Sequence, residues 1–272
     1  LVNLKILNLH SNQLTEEIPS NINNLINLHY LNLRSNNLTG TIPNEIGDLI
    51  NLTDLYLNNN QLNGEIPNTI TQLVNLNQLN ISNNQLTGQI PHNIGYLNNL
   101  VHFQLYSNEL SGEIPNSIKE LDKLSVLHLG FNQLMGVIPS EIGELDSLIH
   151  LTLHYNELSG EIPYSICNLV ENDCSISLSG NQFCPPYPDC LEYPITLQNT
   201  LECTNYCEEG YTQVVDIPES ITVLDSSYCF YLSDLEVLQQ FIDNSQEGEN
   251  PPPYDLSPIE LGTQYWENGR LV

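Results

Sequence analysis

The sequence predicts an α/β repeat fold, a solenoid of 24-residue units in which short parallel strands form one face and short helical turns form the other. Two observations carry this prediction. Leucine opens each unit and recurs at its fourth position through the first 168 of the 272 residues, without a slip of register. The twelfth position is asparagine in every one of these units: Asn12, Asn36, Asn60, Asn84, Asn108, Asn132 and Asn156. A fixed period of this length is typical of stacked repeats that share a continuous core.

Each unit predicts one strand. Apolar side chains at the seventh and ninth positions alternate with largely polar ones at the sixth, eighth and tenth, which is the two-residue period of a strand with one buried face. Because all units have the same length and direction, we expect the strands to stack in parallel. The asparagine then turns the chain out of the strand, and its amide can bond the backbone of neighbouring turns. We expect these asparagines to form an internal ladder.

The second half of each unit predicts a short helical turn. Glycine occupies position sixteen in six of the seven units, and Ile-Pro follows in all of them, from Ile18-Pro19 to Ile162-Pro163. Proline fixes φ and is excluded from the interior of a strand or helix, but it is favoured at a helix start. We therefore expect a turn that ends near the apolar residue at position twenty-two, with that residue facing inward.

The consensus LxxLxxLxLxxNxLxGxIPxxIGxL resembles the leucine-rich repeat of the plant-specific type over residues 1 to about 190. Repeats of this type occur in plant receptor-kinase ectodomains, in polygalacturonase-inhibiting proteins and in some secreted bacterial proteins. The resemblance implies a curved, right-handed solenoid with a parallel concave β-sheet and short 3-10 or helical turns on the convex side. It also implies binding of proteins, peptides or glycans, and it carries over no catalytic residue, because the family has none.

All seven cysteines follow residue 166, where a cap would close the array. Their spacing fits neither a CxxC pair nor a Cys/His zinc site, so we predict disulfides formed in an oxidising compartment. Residues 184–190 resemble the disulfide-containing C-terminal cap of the family. Local pairs, Cys167 with Cys174 and Cys184 with Cys190, are the first candidates, but cross-pairing stays open. The candidate disulfide cysteines are Cys167, Cys174, Cys184, Cys190, Cys203 and Cys207, with Cys229 left over.

The composition predicts four segments. They are residues 1–168 with seven repeats, 169–207 with a degenerate eighth repeat and the cysteine-rich C-terminal cap, 208–227 as an acidic linker, and 228–272 as the N-terminal cap of a following array. The last prediction rests on a resemblance to the N-terminal cap of a leucine-rich repeat array. The features that carry it are Cys229, an amphipathic helix that opens with a capping box at Ser233 and ends near Asp243, and the Trp-x-x-Gly-Arg-Leu-Val ending at residues 266–272. Since Leu1 already occupies a repeat position, we expect the sequence to be a piece of a longer protein.

Charge and motifs exclude several function classes. The 33 acidic and 5 basic residues give a net charge of -28, which repels phosphate backbones, so no nucleic acid partner is expected. No run of about 18 apolar residues occurs, so no membrane span is expected within this sequence. A nucleophile elbow, a phosphate-binding glycine loop and paired metal-ligand motifs are all lacking. We predict an extracellular or cell-surface protein that is not an enzyme and uses no cofactor.

The candidate binding face consists of the solvent-facing strand positions six, eight, ten and eleven. Toward the C-terminal end it is rich in aromatic and histidine side chains: His102, Gln104, Tyr106, His128, Phe131, His150, Thr152, His154 and Tyr155. A second group lies nearer the N-terminus: Tyr30, Arg34, Asp54 and Tyr56. Exposed rings on a rigid sheet offer contact area at low entropy cost. We predict that this face binds a protein, peptide or glycan ligand.

Two alternatives remain open at this level. The face residues could be ordinary solvated strand residues, and the array could serve as a structural or adhesive spacer element of a large surface protein. Neighbouring strands bring several histidines close together, but no acidic side chain accompanies them, so no metal site is predicted.

Overall fold

The computed structural model describes residues 2–191, 198, 199 and 203, together with the backbone of five short strands farther along the chain. The chain divides into two compact units, Leu1–Phe183 with Tyr187–Asn199, and Cys184–Pro186 with Thr200–Val272. The first unit contains the repeats.

Fourteen short strands belong to the repeats. They are β1 (Ile6–Asn8), β2 (Tyr30–Asn32), β3 (Asp54–Tyr56), β4 (Asn63–Glu65), β5 (Gln78–Asn80), β6 (Gln85–Thr87), β7 (His102–Gln104), β8 (Ser111–Gly112), β9 (Val126–His128), β10 (Gln133–Gly136), β11 (His150–Thr152), β12 (Glu157–Glu161), β13 (Ser175–Ser177) and β14 (Gln182–Cys184).

The main sheet has eight strands in the order β1-β2-β3-β5-β7-β9-β11-β13. All its pairs are parallel, and the partners lie 24 residues apart, as for Leu31 and Leu55. The last pair is offset by one residue, with His150 opposite Ser175, because the eighth repeat contains one extra residue. The predicted parallel sheet, one strand per repeat, is confirmed.

Short helical turns return the chain on the other side of the core. They are the 3-10 helices η1 (Ser20–Asn24), η2 (Asn44–Asp48), η3 (Asn68–Gln72), η4 (Ile94–Tyr96), η5 (Asn116–Glu120) and η6 (Ser140–Glu144), followed by the helix α1 (Ile166–Glu171). A proline precedes five of the six 3-10 helices as the capping residue, for example Pro19 before η1. The isoleucine at position twenty-two is buried in every repeat, as the sequence predicts.

The predicted asparagine ladder is present. The Asn84 side chain donates from Nδ2 to the carbonyl oxygens of Leu57 (3.1 Å), in the preceding repeat, and Ile81 (3.0 Å), in its own. Its Oδ1 accepts a hydrogen bond from the Leu62 amide at 3.0 Å. The same pattern recurs at Asn36, where the amide of Leu14 in the preceding repeat donates to Oδ1. From Asn36 to Asn156, each ladder asparagine therefore joins its own turn to the one before it.

A second row of short parallel strands, which the sequence analysis did not predict, follows the ladder. It comprises the pair β4-β6 and the sheet β14-β12-β10-β8, with single bridges such as Thr41 to Asn63 extending the row. This row of strands explains the glycine at position sixteen. Gly88 has a φ of 74°, and a Cβ there would lie 2.7 Å from Cγ of Glu65, the side chain that covers it from the preceding repeat.

The helical side alternates between two kinds of repeat. Position twenty-three is glycine in the second, fourth and sixth repeats (Gly47, Gly95 and Gly143), and a larger residue in the others. A Cβ on Gly47 would lie 2.5 Å from the backbone oxygen of Thr69 in the next repeat. The Thr69 hydroxyl donates to the Asn44 carbonyl oxygen at 2.7 Å. Consecutive turns therefore approach closely at every second junction.

Two disulfides join the last repeats to the residues that follow them. Cys167 pairs with Cys190, with a Cα separation of 5.6 Å, and Cys184 pairs with Cys203, with a Cα separation of 5.5 Å. The local pairs expected from the sequence are therefore wrong. Cys167 lies in α1, whereas Cys174 directly precedes strand β13 of the main sheet, so proximity in sequence is no guide to pairing.

Cys174 is also wrong as a disulfide candidate. It is the free cysteine among the described residues, and it is buried against the core at the start of β13. Burial raises the pKa of its thiol to about 11. Cys207 lies outside the described residues.

The second unit is described through its strands alone. They are β15 (Tyr211–Gln213), β16 (Ile221–Val223), β17 (Cys229–Tyr231), β18 (Gln264–Glu267) and β19 (Arg270–Leu271). Strand β15 pairs antiparallel with β17, while β18 pairs with β16 in parallel and with β19 antiparallel. The helix predicted from Ser233 to Asp243 lies outside the described residues, and the linker and following cap stay predictions. No helix in the described part of the chain is long and apolar enough to cross a bilayer.

Candidate functional site

The main-sheet face is the side of the main sheet that points away from the core, formed by positions six, eight, ten and eleven of the repeats. Every residue of the predicted site lies on it, because alternate strand residues point to opposite faces. The inward partners, such as Leu127 and Leu151, are fully buried. The site is thus supported by a rigid core directly beneath it.

Four rings from three consecutive repeats meet near the C-terminal end of this face. We call them the aromatic cluster: Tyr106, Phe131, His154 and Tyr155. The Phe131 ring is the centre, with its centroid 4.5 Å from Tyr155, 5.2 Å from Tyr106 and 5.2 Å from His154. Ring pairs at such separations stabilise one another beyond the area that they bury. The cluster is therefore a preorganised surface.

Two glycines that the sequence analysis missed make room for the cluster. Gly130 occupies position ten between Tyr106 and His154, and a Cβ there would lie 3.1 Å from the His154 ring. Gly180 follows Tyr155 on the next turn, and a Cβ there would lie 2.7 Å from the Tyr155 ring. The signal in the sequence is a glycine at a face position that carries a side chain in most other repeats.

Phe131 and Tyr155 have left-handed backbone conformations, with φ of 54° and 53°. The equivalent position eleven in the first five repeats holds serine or asparagine, and asparagine tolerates this region better than bulky residues do. The two aromatic side chains are nevertheless 42% and 46% exposed. Two exposed rings thus replace polar residues at positions where the backbone disfavours a ring.

Three histidines extend the site along the neighbouring strands. His102, His128 and His150 lie on β7, β9 and β11, and the His128 and His150 ring centroids are 6.4 Å apart. Burial lowers the pKa of His128 first, and the positive charges of His150, His102 and His154 lower it further. Burial alone lowers the pKa of His154. Both shifts favour the neutral imidazole in the free protein.

The protein leaves some hydrogen-bonding capacity at the site unused. Thr152 Oγ1 and His154 Nδ1 are buried atoms without a hydrogen-bond partner in the protein. Gln104, by contrast, accepts a hydrogen bond from Asn80 on the neighbouring strand. Unpaired polar atoms are uncommon in native interiors, and two of them occur on this part of the face.

The second predicted group forms a separate patch. The Tyr30 and Tyr56 rings lie 5.7 Å apart, and Arg34 is exposed beside them. Asp54 accepts a hydrogen bond from the Thr53 hydroxyl at 2.7 Å, and burial, followed by the charge of Asp54, raises the pKa of Tyr56. Strand β5 lies between this patch and the strand that carries His102. The structure therefore gathers the predicted residues into two groups.

No set of three or more His, Cys, Asp and Glu side chains in the described part of the chain is arranged to hold a metal ion. The histidines of the site lie against one another and against aromatic rings. The arrangement can therefore contact a ligand through ring surfaces and hydrogen bonds, and its charge depends on pH.

Family models match most of the repeat region. A model described as a leucine-rich repeat region matches residues 1–136, and a single Leucine Rich Repeat matches residues 147–169. The chain belongs to the leucine-rich repeat family. A search of curated proteins finds no match.

Solved structures of plant receptors are similar to the chain. The Arabidopsis receptor kinase HAESA, solved with the peptide hormone IDA and the co-receptor SERK1, is 39% identical with a TM-score of 0.66, over 69% of this chain and 31% of that one. A TDR receptor is 36% identical with a TM-score of 0.66, over 69% and 32%. The plant peptide hormone receptor RGFR1, solved with RGF2, is 34% identical with a TM-score of 0.65, over 67% and 29%.

The chain spans about a third of the length of these receptor structures. Its repeats are of the plant receptor type, and its fold is that of receptors and ligand-binding proteins. The two disulfides and the similarity to receptor ectodomains place it in an extracellular or cell-surface setting.

Proposed function

We propose that the repeat array is a recognition module that holds an extended peptide on the main-sheet face, centred on the aromatic cluster. One observation carries the proposal. Phe131 and Tyr155 present exposed rings from left-handed backbone positions that serine or asparagine fills in the first five repeats. The fold sets this left-handed conformation at position eleven of every repeat, but it requires no ring there. A bulky residue kept in a disfavoured conformation without a structural need points to a role in function.

The dimensions of the cluster suit an extended chain. Parallel strands lie about 4.8 Å apart, so rings from three consecutive repeats span about 10 Å, the length of roughly three extended residues. A peptide lying across the strands would contact Tyr106, Phe131 and Tyr155 in turn. Exposed aromatic side chains of limited flexibility are the usual anchors of peptide and protein interfaces.

The comparisons favour a peptide over the protein and glycan ligands that the sequence also allows. HAESA, 39% identical, was solved with the peptide hormone IDA, and the plant peptide hormone receptor RGFR1, 34% identical, was solved with RGF2. We further propose that the role is binding and not catalysis, since the conspicuous side chains recur with the structural period. The repeats thus form a scaffold that carries one specialised patch.

The test is a peptide array probed with the whole chain and with the double variant Phe131→Asn/Tyr155→Asn. Asparagine suits the left-handed backbone, so the free energy of unfolding should change by no more than about 1 kcal/mol while the anchors are lost. We expect the affinity for retained peptides to fall at least about tenfold, because each anchor contributes on the order of 1 kcal/mol or more. The matched control is Ser11→Asn/Ser35→Asn, at the same position in the first two repeats.

Two results would contradict the proposal. Peptides bound equally by wild type and the double variant would place recognition elsewhere on the chain. Binding of no peptide at all, with an unchanged circular dichroism spectrum, would favour the spacer role.

A further inference from the structure

The C-terminal half of the main-sheet face carries no carboxylate, although the chain has a net charge of -28. In the fourth to eighth repeats, from Gln78 to Gly180, every residue at the face positions is uncharged or a histidine. Four of the seven histidines of the chain lie here: His102, His128, His150 and His154. We call these four the histidine patch.

Neutral side chains surround the histidine patch. Across the strands, the register partners of the three strand histidines are glutamine, valine, threonine and serine. His154 contacts the rings of Tyr106, Phe131 and Tyr155, and the two tyrosines are the other titratable groups on this part of the face.

The nearest acidic residues in sequence lie beyond the ends of these strands. None of them contributes to the pKa shift of His128 or His154. They follow the ladder asparagines or precede β9, β11 and β13: Glu109, Glu157, Asp122, Asp146 and Asp173. The patch therefore has no internal counter-charge.

Protonation of such a patch has a direct electrostatic consequence. Histidine is the side chain whose charge normally changes between about pH 5 and 8. Charging several neighbouring imidazoles without a counter-ion is unfavourable, and the other three histidines accordingly lower the pKa of His128. An anion bound against the patch would supply the counter-charge and stabilise the protonated imidazoles. Binding of the anion and uptake of protons are then linked and must strengthen each other.

We infer that the histidine patch selects an acidic peptide, whose Asp or Glu carboxylates lie against the imidazoles beside the aromatic cluster, and that this binding strengthens as the pH falls. The inference rests on the proposed function and adds the chemical class of the peptide and the pH control of the same site. The strongly acidic remainder of the chain repels such a peptide, so the patch also limits where it can bind.

The experiment uses pairs of synthetic 12-residue peptides that are identical except for Glu and Asp in one member and Gln and Asn in the other. Arrays of the pairs are probed with the whole chain at about pH 5.5 and about pH 7.5, on either side of the usual histidine pKa. Calorimetry of the best pair, in two buffers of different ionisation enthalpy, then counts the protons taken up on binding. We expect the acidic member to bind at least about tenfold more tightly than the amide member at the lower pH, with one or more protons taken up.

The variant His102→Gln/His128→Gln/His150→Gln keeps the aromatic cluster and removes most of the patch. The readout is the ratio of the affinities for the two members of a pair, and the variant should lose most of the preference for the acidic member and of its pH dependence. His29→Gln/His92→Gln is the control, since both residues are exposed and lie off the main-sheet face, and it should keep both properties. Proton counting on wild type gives a result that does not depend on the variants folding.

The outcomes separate the two proposals. Peptides that bind without preference for carboxylates, without pH dependence and without proton uptake would overturn the inference and leave the proposed function standing. Binding of a uronic acid oligosaccharide in place of any acidic peptide would overturn the peptide assignment. Binding of no peptide of any charge would overturn both.

Discussion

At the scale of single residues, the ladder asparagine does more for the fold than any other polar side chain in the repeat. Asn84 satisfies two carbonyl groups and one amide group at the turn between the two rows of strands. These backbone groups lie where the chain leaves one strand and no sheet partner is available. An unsatisfied buried backbone group costs about 1 kcal/mol or more, so one amide side chain secures a turn in two repeats.

Removing this side chain should therefore lower the free energy of unfolding more than the loss of so small a group usually does. We expect Asn84→Ala to lower the free energy of unfolding by about 1 to 3 kcal/mol, because the Leu62 amide loses its partner. The Leu57 and Ile81 carbonyl oxygens each lose one of two bonds and keep those from Asn60 and Asn108. Urea denaturation followed by circular dichroism measures the change. Asn98→Ala, which truncates an exposed asparagine, should change it by less than about 0.5 kcal/mol. Similar effects for the two variants would refute the role assigned to the ladder.

A second residue-scale prediction concerns acid. The pKa of His128 in the folded chain lies below its ordinary value of 6.5, mainly because of burial, so the unfolded chain binds more protons just below that pH. The free energy of unfolding should then decrease as the pH falls from about 6.5 through the lowered pKa. His128→Gln should remove part of that decrease, while His92→Gln, which alters an exposed histidine, should leave it unchanged. Parallel pH profiles for wild type and His128→Gln would contradict this account.

At the scale of elements, the helical turns are paired. Gly95 in η4 lies against the backbone of Ser117 in the next turn, and a Cβ there would overlap the Ser117 carbonyl oxygen. The Ser117 hydroxyl completes the contact by donating to the His92 carbonyl oxygen at 2.6 Å. The same combination of glycine and hydroxyl occurs at Gly143 and Ser165. On the helical side the close contact therefore recurs every two repeats, whereas on the strand side the structure recurs in every repeat.

This pairing predicts an unusual result for a glycine in a helical segment. Alanine has the higher helix propensity, yet Gly95→Ala should lower the free energy of unfolding by about 1 to 3 kcal/mol, because the added methyl group forces the two turns apart. Lys119→Ala, at the same position of the following repeat, should have little effect, since that side chain is exposed. Thermal unfolding of the two variants beside wild type tests the difference, and a stabilised Gly95→Ala protein would rule out the close contact.

At the scale of the whole repeat array, periodicity alone was enough to predict the parallel sheet, the buried isoleucines and the asparagine ladder. These features recur in each repeat, so each is supported by seven observations. The second row of strands was missed, because its segments carry one recurring apolar residue, the leucine at position fourteen, and glycine mostly stands two residues later where an alternating pattern would need another apolar side chain. The aromatic cluster was predicted as residues on one face, but Gly130 and Gly180, which let its rings pack, were not. Both glycines matter because they lack a side chain, and the sequence pattern does not show which ring fills the space.

The disulfides were the least predictable feature of the chain. They lie at the C-terminal end of the array, which must be held together. A stack of repeats exposes core at each end, and repeats contact only their neighbours, so unfolding can start at an end and proceed inward. Cys167 in α1 and Cys190 beyond β14 are joined across the last repeat. The bond thus ties the final helical turn to the segment that follows the final strand.

Removing that tie should loosen one end and leave the other unchanged. In the variant Cys167→Ser/Cys190→Ser, we expect amide hydrogen exchange to accelerate in α1, β13 and β14, with exchange in β2, β3 and β5 at the wild-type rate, because stability in such an array is a sum of local terms. Cys174→Ala, which alters the free buried thiol and leaves both disulfides intact, is the control and should preserve the slow exchange of α1. Faster exchange through every repeat would instead mean that the array unfolds as one cooperative unit, with the disulfide stabilising all of it.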